Sequence, residues 1–295
     1  MTLSPSTQKL IKKRIIYPLQ ALGIYALFYF YKLLSLDQAS DLGGWFGRVL
    51  GPRFGANKKT RRNISLAMPE LSRAEQDVII KGMWENLGRV IAEYSHLEAL
   101  DHSRVEVIGT EYLQTLKDAG RPAILVSGHL ANWEALPIAS AKRGLELHLI
   151  YRHANNPYVD RLLSHARTPM GQHLARKGFE GARSVHSALR NGQMIGMLVD
   201  QKYRRGREIP FFNRPAMTAP AFAELALQYN APILMVHGER LKGAHFRITI
   251  QPPLELPQGL EHQATVDAIL TTVNAELERW IRRKPGEWLW LHRRW

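Results

Sequence analysis

The sequence predicts an α/β fold: a mixed, largely parallel central sheet flanked by helices, with an N-terminal membrane-anchoring helix. Short apolar segments alternate with amphipathic ones along the chain, which is the pattern of a layered α/β domain. Several short segments, such as 122–127 and 194–199, are apolar almost throughout, as expected for strands covered on both faces. A long apolar run near residue 20 predicts the anchor.

The anchor prediction rests on residues 15–34, which read IIYPLQALGIYALFYFYKLL. About 20 apolar residues are needed to cross the hydrocarbon core of a bilayer. Residues 12–14 are all basic, and the run ends in YKLL, where a cleaved signal peptide would have a small-residue cleavage site. The sequence therefore favours a retained anchor. Polar Gln20 and Lys32, together with Pro18, keep open the alternative of a buried or surface-lying helix.

Beyond the anchor, the amphipathic stretch 36–50 and a basic juxtamembrane region are expected to rest on anionic lipid. We place the domain boundary here, between an anchoring segment (1–50) and a catalytic domain (51–295). Ser72 and Glu75 form a capping box, so a long helix is expected to continue to about residue 100. The other predicted helices cover residues 111–118, 130–143, 158–167, 183–190, 219–228 and 264–283. The predicted strands cover residues 105–108, 122–127, 145–151, 194–199, 233–236 and 245–250.

The composition and motif content limit the classes of function that the protein can have. Lys and Arg number 40 against 26 Asp and Glu, giving a formal charge of +14, which predicts an anionic partner. The chain has no cysteine, so disulfide scaffolds, cysteine nucleophiles and thiolate metal sites are excluded. No H-E-x-x-H-like spacing occurs, and no metal site is expected. A nucleic-acid-binding role lacks a helix-turn-helix, RNP or zinc-finger signature.

One segment carries candidate chemistry. The strand at 122–127 runs into Gly-His-Leu-Ala-Asn-Trp-Glu, so His129 lies where a buried strand turns into a helix, a usual place for functional groups in α/β folds. Glu134 in the first helical turns would orient the imidazole, whose other nitrogen could then accept a proton. No G-x-S-x-G elbow is present, so direct attack by a substrate hydroxyl on an activated acyl group is expected. A purely structural His–Glu hydrogen bond is the alternative.

The segment ILVSGHLANWEALPIA resembles the HxxxxE region of the lipid A biosynthesis acyltransferases. The resemblance extends to Tyr-Arg followed by Asn-Pro and Asp at 151–160, to MIGMLVDQ with Ile-Pro-Phe-Phe at 194–212, and to the ending EWLWLHRR at 287–294. Alanine at 131 and asparagine at 213 stand where the family usually has glycine. The ordered set covers nearly the whole chain.

This resemblance implies a glycerolipid-acyltransferase-like fold and an acyl carrier protein thioester as donor, with no cofactor. The implied acceptor is a hydroxyl of a 3-hydroxyacyl chain on a lipid A precursor, a phosphorylated glucosamine disaccharide. His129 would be the general base, oriented by Glu134. The implied location is the cell inner membrane, in contact with its lipids, with the catalytic domain facing the cytoplasm. Candidate substrate-binding residues are Arg167, Arg152, Asp200 and Asn132.

Each of these has an alternative. Arg167 would hold a phosphate or stabilise the oxyanion, and Arg152 is a second phosphate candidate. Either arginine could instead be a solvated surface charge, and Asp200 could cap the following loop. For the whole chain, one alternative is an acyltransferase for another membrane glycolipid or phospholipid. The alternative from a different class is a basic membrane-associated binding protein without catalysis.

Overall fold

The computed structural model describes residues 8, 11–145, 147–151, 154–171, 174–176 and 178–295. A π-helical turn, Lys12–Ile16, leads into the first α-helix. The α-helices are α1 (Tyr17–Lys32), α2 (Leu36–Leu50), α3 (Asn57–Ala67), α4 (Arg73–Glu93), α5 (Thr110–Asp118), α6 (Ala135–Ala141), α7 (Pro157–Ala166), α8 (Phe179–Arg190), α9 (Ala221–Tyr229) and α10 (His262–Arg283). The capping box of Ser72 and Glu75 is present at the start of α4.

The strands are β1 (Val105–Ile108), β2 (Ala123–Ser127), β3 (Leu147–Tyr151), β4 (Leu174–Arg176), β5 (Met194–Leu198), β6 (Arg207–Phe211), β7 (Arg214–Thr218), β8 (Ile233–Arg240) and β9 (Phe246–Pro253). Seven of them form one sheet in the order β1-β9-β8-β2-β5-β3-β4. Within it β8 and β9 are antiparallel, and the other neighbouring strands are parallel. The predicted α/β class with a largely parallel sheet is confirmed.

Both faces of the sheet are covered. Along β2, Ile124 and Val126 belong to one buried cluster, and Ala123 and Leu125 to another. Because side chains alternate across a strand, these two clusters lie on opposite faces. The first contains side chains of α3, α4, α8, α9 and α10, and the second contains those of α5 and α6. The continuous apolar sequence of β2 therefore reflects burial on both faces.

Several local features differ from the prediction. The helix expected at 130–143 begins only at Ala135, because residues 128–134 form a turn. The hairpin of β6 and β7 was not expected. Its two connecting residues, Phe212 and Asn213, have φ of 53° and 55°, and left-handed backbone at both positions matches the twist of a two-residue hairpin.

The anchor prediction needs correction. Among the described residues, no helix is both long and apolar enough to cross a membrane. Helix α1 has 16 residues, about 24 Å at 1.5 Å per residue, which is less than the roughly 30 Å of a hydrocarbon core. One side of α1 packs on the protein, with Ala21 and Tyr31 buried and the Tyr25 hydroxyl donating to the Tyr158 carbonyl oxygen at 3.2 Å. The membrane-crossing anchor expected at 15–34 is not supported.

Candidate active site

The site lies at the carboxyl end of β2, where a tight turn follows the strand. Gly128 begins the turn, and a Cβ at this position would lie 3.3 Å from the Asp200 Oδ2 atom and 3.2 Å from the Leu277 Cδ2 atom. That spacing is tighter than most side-chain contacts, so glycine leaves room for a carboxylate beside the turn. His129 follows directly and is thereby held at the edge of the sheet.

Ala131 has a left-handed backbone with φ of 47°. This conformation costs a residue with a Cβ roughly 1–2 kcal/mol. Two hydrogen bonds hold it: the Ala131 amide donates to the Glu287 carbonyl oxygen at 3.1 Å, and the Asn86 side chain donates to the Ala131 carbonyl oxygen at 2.9 Å. The glycine that the resemblance predicts at this position would adopt the same conformation with little cost.

The histidine is paired with Asp200. Strands β2 and β5 are parallel, with Ser127 opposite Leu198. His129 and Asp200 each come two positions later, so they lie side by side. The Asp200 Oδ1 atom lies 2.7 Å from His129 Nδ1, and Oδ2 accepts the His129 backbone N–H at 2.8 Å. Asp200 thus contacts the imidazole directly, whereas the sequence had suggested a loop cap or a substrate contact.

The expected pairing of His129 with Glu134 is therefore replaced by a different one. Glu134 precedes α6, and its backbone N–H donates to the Asn132 side-chain oxygen at 3.0 Å. The Glu134 carboxylate accepts from Arg167 Nη2 at 2.6 Å and Nε at 3.3 Å, and from the Tyr94 hydroxyl. Glu134 and Arg167 form a buried ion pair next to the histidine rather than a dyad with it.

Arg167 is held on several sides. Its guanidinium also donates to the Tyr94 hydroxyl at 2.8 Å, and it lies over the rings of Tyr94 and Tyr151 at 5.5 and 5.8 Å. Burial opposes the charge, but Glu134 and Tyr94 outweigh burial and raise the pKa of Arg167 above its ordinary value. Burial and the Glu134 charge raise the pKa of Tyr94 well above 10.0. The guanidinium stays charged and the phenol stays protonated.

The surroundings favour the charged forms of both His129 and Asp200. Burial would raise the pKa of Asp200, but the imidazole, its hydrogen bonds and the Trp288 indole hold that pKa well below its usual range. Burial would lower the pKa of His129, but the Asp200 carboxylate and, to a smaller extent, the charge of Glu134 together outweigh burial and raise that pKa above 6.5. A carboxylate on Nδ1 makes the imidazole a stronger base at Nε2.

Asn132 and Arg152 were also predicted to bind substrate. Asn132 is buried, with its amide nitrogen donating to Glu93 at 2.8 Å and its oxygen accepting the Glu134 backbone N–H at 3.0 Å. Both ends of the amide therefore stabilise the turn. Arg152 lies outside the described residues, so its predicted role stays a prediction.

A cavity of about 370 Å³ opens beside the histidine. Its polar wall contains His129, Glu134, Arg167 and Gln201, and the Gln201 side-chain nitrogen lies 3.3 Å from His129 Nε2. Much of the remaining wall is apolar and includes Leu125, Leu136, Pro137, Leu149, Met170 and Met197. The cavity can accept an apolar chain with a polar group placed near Nε2.

Three residues of the site were not assigned a role from the sequence. Gln201 and Trp288 were noted only as parts of family-like segments, and Tyr94 gave no signal because it follows an ordinary amphipathic helix. Trp288 donates its indole N–H to Asp200 Oδ2 at 2.8 Å. Within the part of the chain that the structure describes, no group of three or more His, Asp or Glu side chains is arranged to hold a metal ion.

Comparisons with known proteins agree on one family. The model of the bacterial lipid A biosynthesis acyltransferases matches residues 8–295. The chain is 26% identical over 264 residues to the lipid A biosynthesis palmitoleoyltransferase of Escherichia coli K12, covering 83% of each protein. It is 25% identical to the lauroyltransferase of that organism over 248 residues, covering 80% of this chain and 78% of the relative. The corresponding figures for the myristoyltransferase are 24% over 259 residues, 83% and 77%.

Proposed function

This chain belongs to the bacterial lipid A biosynthesis acyltransferases, and on that premise we propose that it transfers a fatty acyl chain from acyl carrier protein to a hydroxyl of a 3-hydroxyacyl chain on a lipid A precursor. The observation that carries this proposal is the His129–Asp200 pair at the wall of a largely apolar cavity. The pair supplies a base for a hydroxyl, and the cavity has the apolar lining that a fatty acyl chain requires.

In the proposed reaction the acceptor hydroxyl oxygen attacks the thioester carbonyl carbon while His129 Nε2 takes the hydroxyl proton. Asp200 stays ionised and stabilises the imidazolium that forms. When the tetrahedral intermediate collapses, the carbon–sulfur bond breaks and the thiolate leaves with the proton held by His129. We assign the hydrogen bond to the oxyanion to the side-chain nitrogen of Gln201, which lies 3.3 Å from His129 Nε2.

Glu134 and Arg167 have a supporting role in this proposal. Their ion pair fixes one wall of the cavity, and Arg167 contributes positive charge beside the reacting atoms. Replacing one partner of a buried pair leaves the other charge uncompensated, so both are needed for the wall to keep its shape. This mechanism does not need Glu134 to orient His129 or Arg167 to bind a phosphate; the other role expected for Arg167, stabilisation of the oxyanion, is compatible with it.

We further propose that the protein rests on the inner-membrane surface through α1, α2 and the loop that follows. Apolar side chains are exposed along this face: Ile15, Ile16, Leu19, Leu22, Leu27, Phe30, Leu33, Trp45, Phe46, Leu50 and Phe54. Exposed basic residues accompany them: Lys12, Lys13, Arg14, Arg48, Arg53 and Lys58. Apolar insertion combined with basic charge fits an anionic lipid surface, with helices lying in the interface.

Mass spectrometry of the purified protein tests the reaction. Wild-type protein incubated with acylated carrier protein and a lipid A precursor should add the mass of one acyl chain to the precursor. His129→Ala should lower the rate by at least about 100-fold, since a positioned general base contributes about 10²–10⁴-fold. A wild-type protein that acylates only another glycolipid or phospholipid would remove the lipid A part of the proposal. Equal use of a coenzyme A thioester would remove the requirement for the carrier protein.

A further inference from the structure

We infer that Trp288 is a positioning residue for the catalytic pair: its indole N–H fixes the Asp200 carboxylate so that Oδ1 faces His129 Nδ1. This inference rests on the proposed function of His129 and Asp200. It assigns a role in the reaction to a residue 88 positions beyond Asp200, on a segment outside the main sheet.

The segment at 287–289 pairs with the catalytic turn through its backbone. Leu130 and Trp288 form an isolated antiparallel bridge. The Ala131 amide donates to the Glu287 carbonyl oxygen at 3.1 Å, and the Leu289 amide donates to the His129 carbonyl oxygen at 3.1 Å. The position of Trp288 is therefore set by the same residues that carry the histidine.

The carboxylate of Asp200 has a defined set of donors. Oδ2 accepts two N–H groups, the His129 backbone amide and the Trp288 indole, each at 2.8 Å. Neither donor can rotate freely, because one is backbone and the other belongs to a ring that is 3% exposed. With Oδ2 held at two points, the carboxylate plane is fixed, and Oδ1 meets Nδ1 at 2.7 Å. Loss of the indole donor leaves only the backbone amide on Oδ2.

The indole is itself held in place by aromatic neighbours. The Trp288 ring packs edge-on against Trp290 at 4.5 Å and against Phe211 at 5.9 Å. Trp288 is not among the residues that line the cavity, so it does not reach substrate directly. An effect of this residue on the reaction should therefore appear in kcat rather than in KM.

The matched pair Trp288→Phe and Trp84→Phe tests the inference in the full-length chain. Each variant keeps an aromatic ring and removes one buried indole N–H; in Trp84, a residue of α4, that group donates to the Asn57 side-chain oxygen at 2.6 Å. Trp288→Phe should lower kcat by about 10- to 100-fold with KM little changed, the range expected for one hydrogen bond to a charged group. Trp84→Phe should lose thermal stability to a similar extent and keep nearly the wild-type kcat.

Two further measurements separate positioning from folding. In an Asp200→Asn background, adding Trp288→Phe should produce little further loss, because the two side chains act as one unit. Nitrogen-15 NMR of the His129 ring should show a change in the proton distribution between Nδ1 and Nε2 in Trp288→Phe but not in Trp84→Phe. This NMR readout needs no turnover, so it remains informative if the proposed reaction is wrong. Equal kcat in both single variants, or an unchanged His129 spectrum, would overturn the inference.

Discussion

Asp200 and Glu134 are two buried carboxylates within one small site, and they are neutralised by different partners. Asp200 faces an imidazole, which gains and loses a proton in the proposed reaction, whereas Glu134 faces a guanidinium that remains charged. Only the first pair can take part in proton transfer, since only the imidazole titrates near neutral pH. The proposed function therefore gives the two pairs different roles: the His129–Asp200 pair moves a proton, and the Glu134–Arg167 pair keeps the cavity wall in shape.

The pH dependence of kcat/KM in an Asp200→Asn variant should distinguish the role of the His129–Asp200 pair from that of the Glu134–Arg167 pair. In the proposed reaction the neutral form of His129 is the base, so wild-type activity should fall as the pH drops through the raised pKa of His129. Without the Asp200 charge, burial lowers that pKa, and the acid limb of kcat/KM should move to lower pH while kcat falls at least about 100-fold. Asp267→Asn, which breaks the exposed pair with Arg207, is the control and should leave the profile unchanged. An acid limb that does not move in Asp200→Asn contradicts the pairing.

At the scale of elements, the site is made by the carboxyl ends of two neighbouring parallel strands. The alternation of apolar strands and amphipathic helices allowed β2 and β5 to be predicted from sequence. Their adjacency was not predictable, because the chain passes through β3 and β4, with three connections between strands, before β5 pairs with β2. For the same reason Asp200 was expected to contact substrate or to cap a loop. Glu134, five residues from His129 in the sequence, was instead expected to be the partner of His129. Local spacing could not account for the turn at Ala131, which directs Glu134 towards Arg167.

Strand β5 also shapes the cavity through Gly196. A Cβ at this position would lie 2.8 Å from the Leu149 Cδ2 atom, so an added methyl group displaces Leu149, another residue of the cavity wall. Gly196→Ala should favour shorter acyl donors, raising the ratio of kcat/KM for a shorter over a longer chain by roughly 10-fold, since one methylene in an apolar pocket is worth about 1–3 kcal/mol. Kinetics with a series of acylated carrier proteins measure this ratio.

Gly238→Ala is the matched control for that measurement. Gly238 also lies within a strand of the same sheet, β8, but a Cβ there meets no atom within 4 Å. Its chain-length profile should remain that of the wild type. A profile that is also unchanged in Gly196→Ala would show that the acyl chain does not occupy this part of the cavity.

On the scale of the whole molecule, the net charge of +14 and the exposed apolar face of α1 suggest the same partner, an anionic lipid surface. Leu19 and Leu22 are 64% and 68% exposed on α1. Leu19→Glu with Leu22→Glu should weaken binding to anionic phospholipid vesicles by at least about 100-fold, because burying each leucine contributes roughly 1.5–3 kcal/mol. Vesicle co-sedimentation measures the bound fraction.

The control for the membrane test is Leu241→Glu, a change at an exposed leucine between β8 and β9 that is 46% exposed. Its binding to vesicles should match that of the wild type. Binding of the wild-type protein should also weaken as salt is raised, because exposed charges are screened. Vesicle binding that does not differ between the α1 variant and the control would contradict a membrane-facing α1.

The contact between Trp288 and the catalytic turn has a consequence for the order of folding. The Leu130–Trp288 bridge closes a loop of more than 150 residues, and pairings so distant in sequence are slow to form. Helices such as α4 and α10 involve local contacts and can form early. During refolding, recovery of helical circular dichroism should therefore precede recovery of acyl transfer, and enzyme activity would report the last long-range contacts rather than the bulk of the secondary structure.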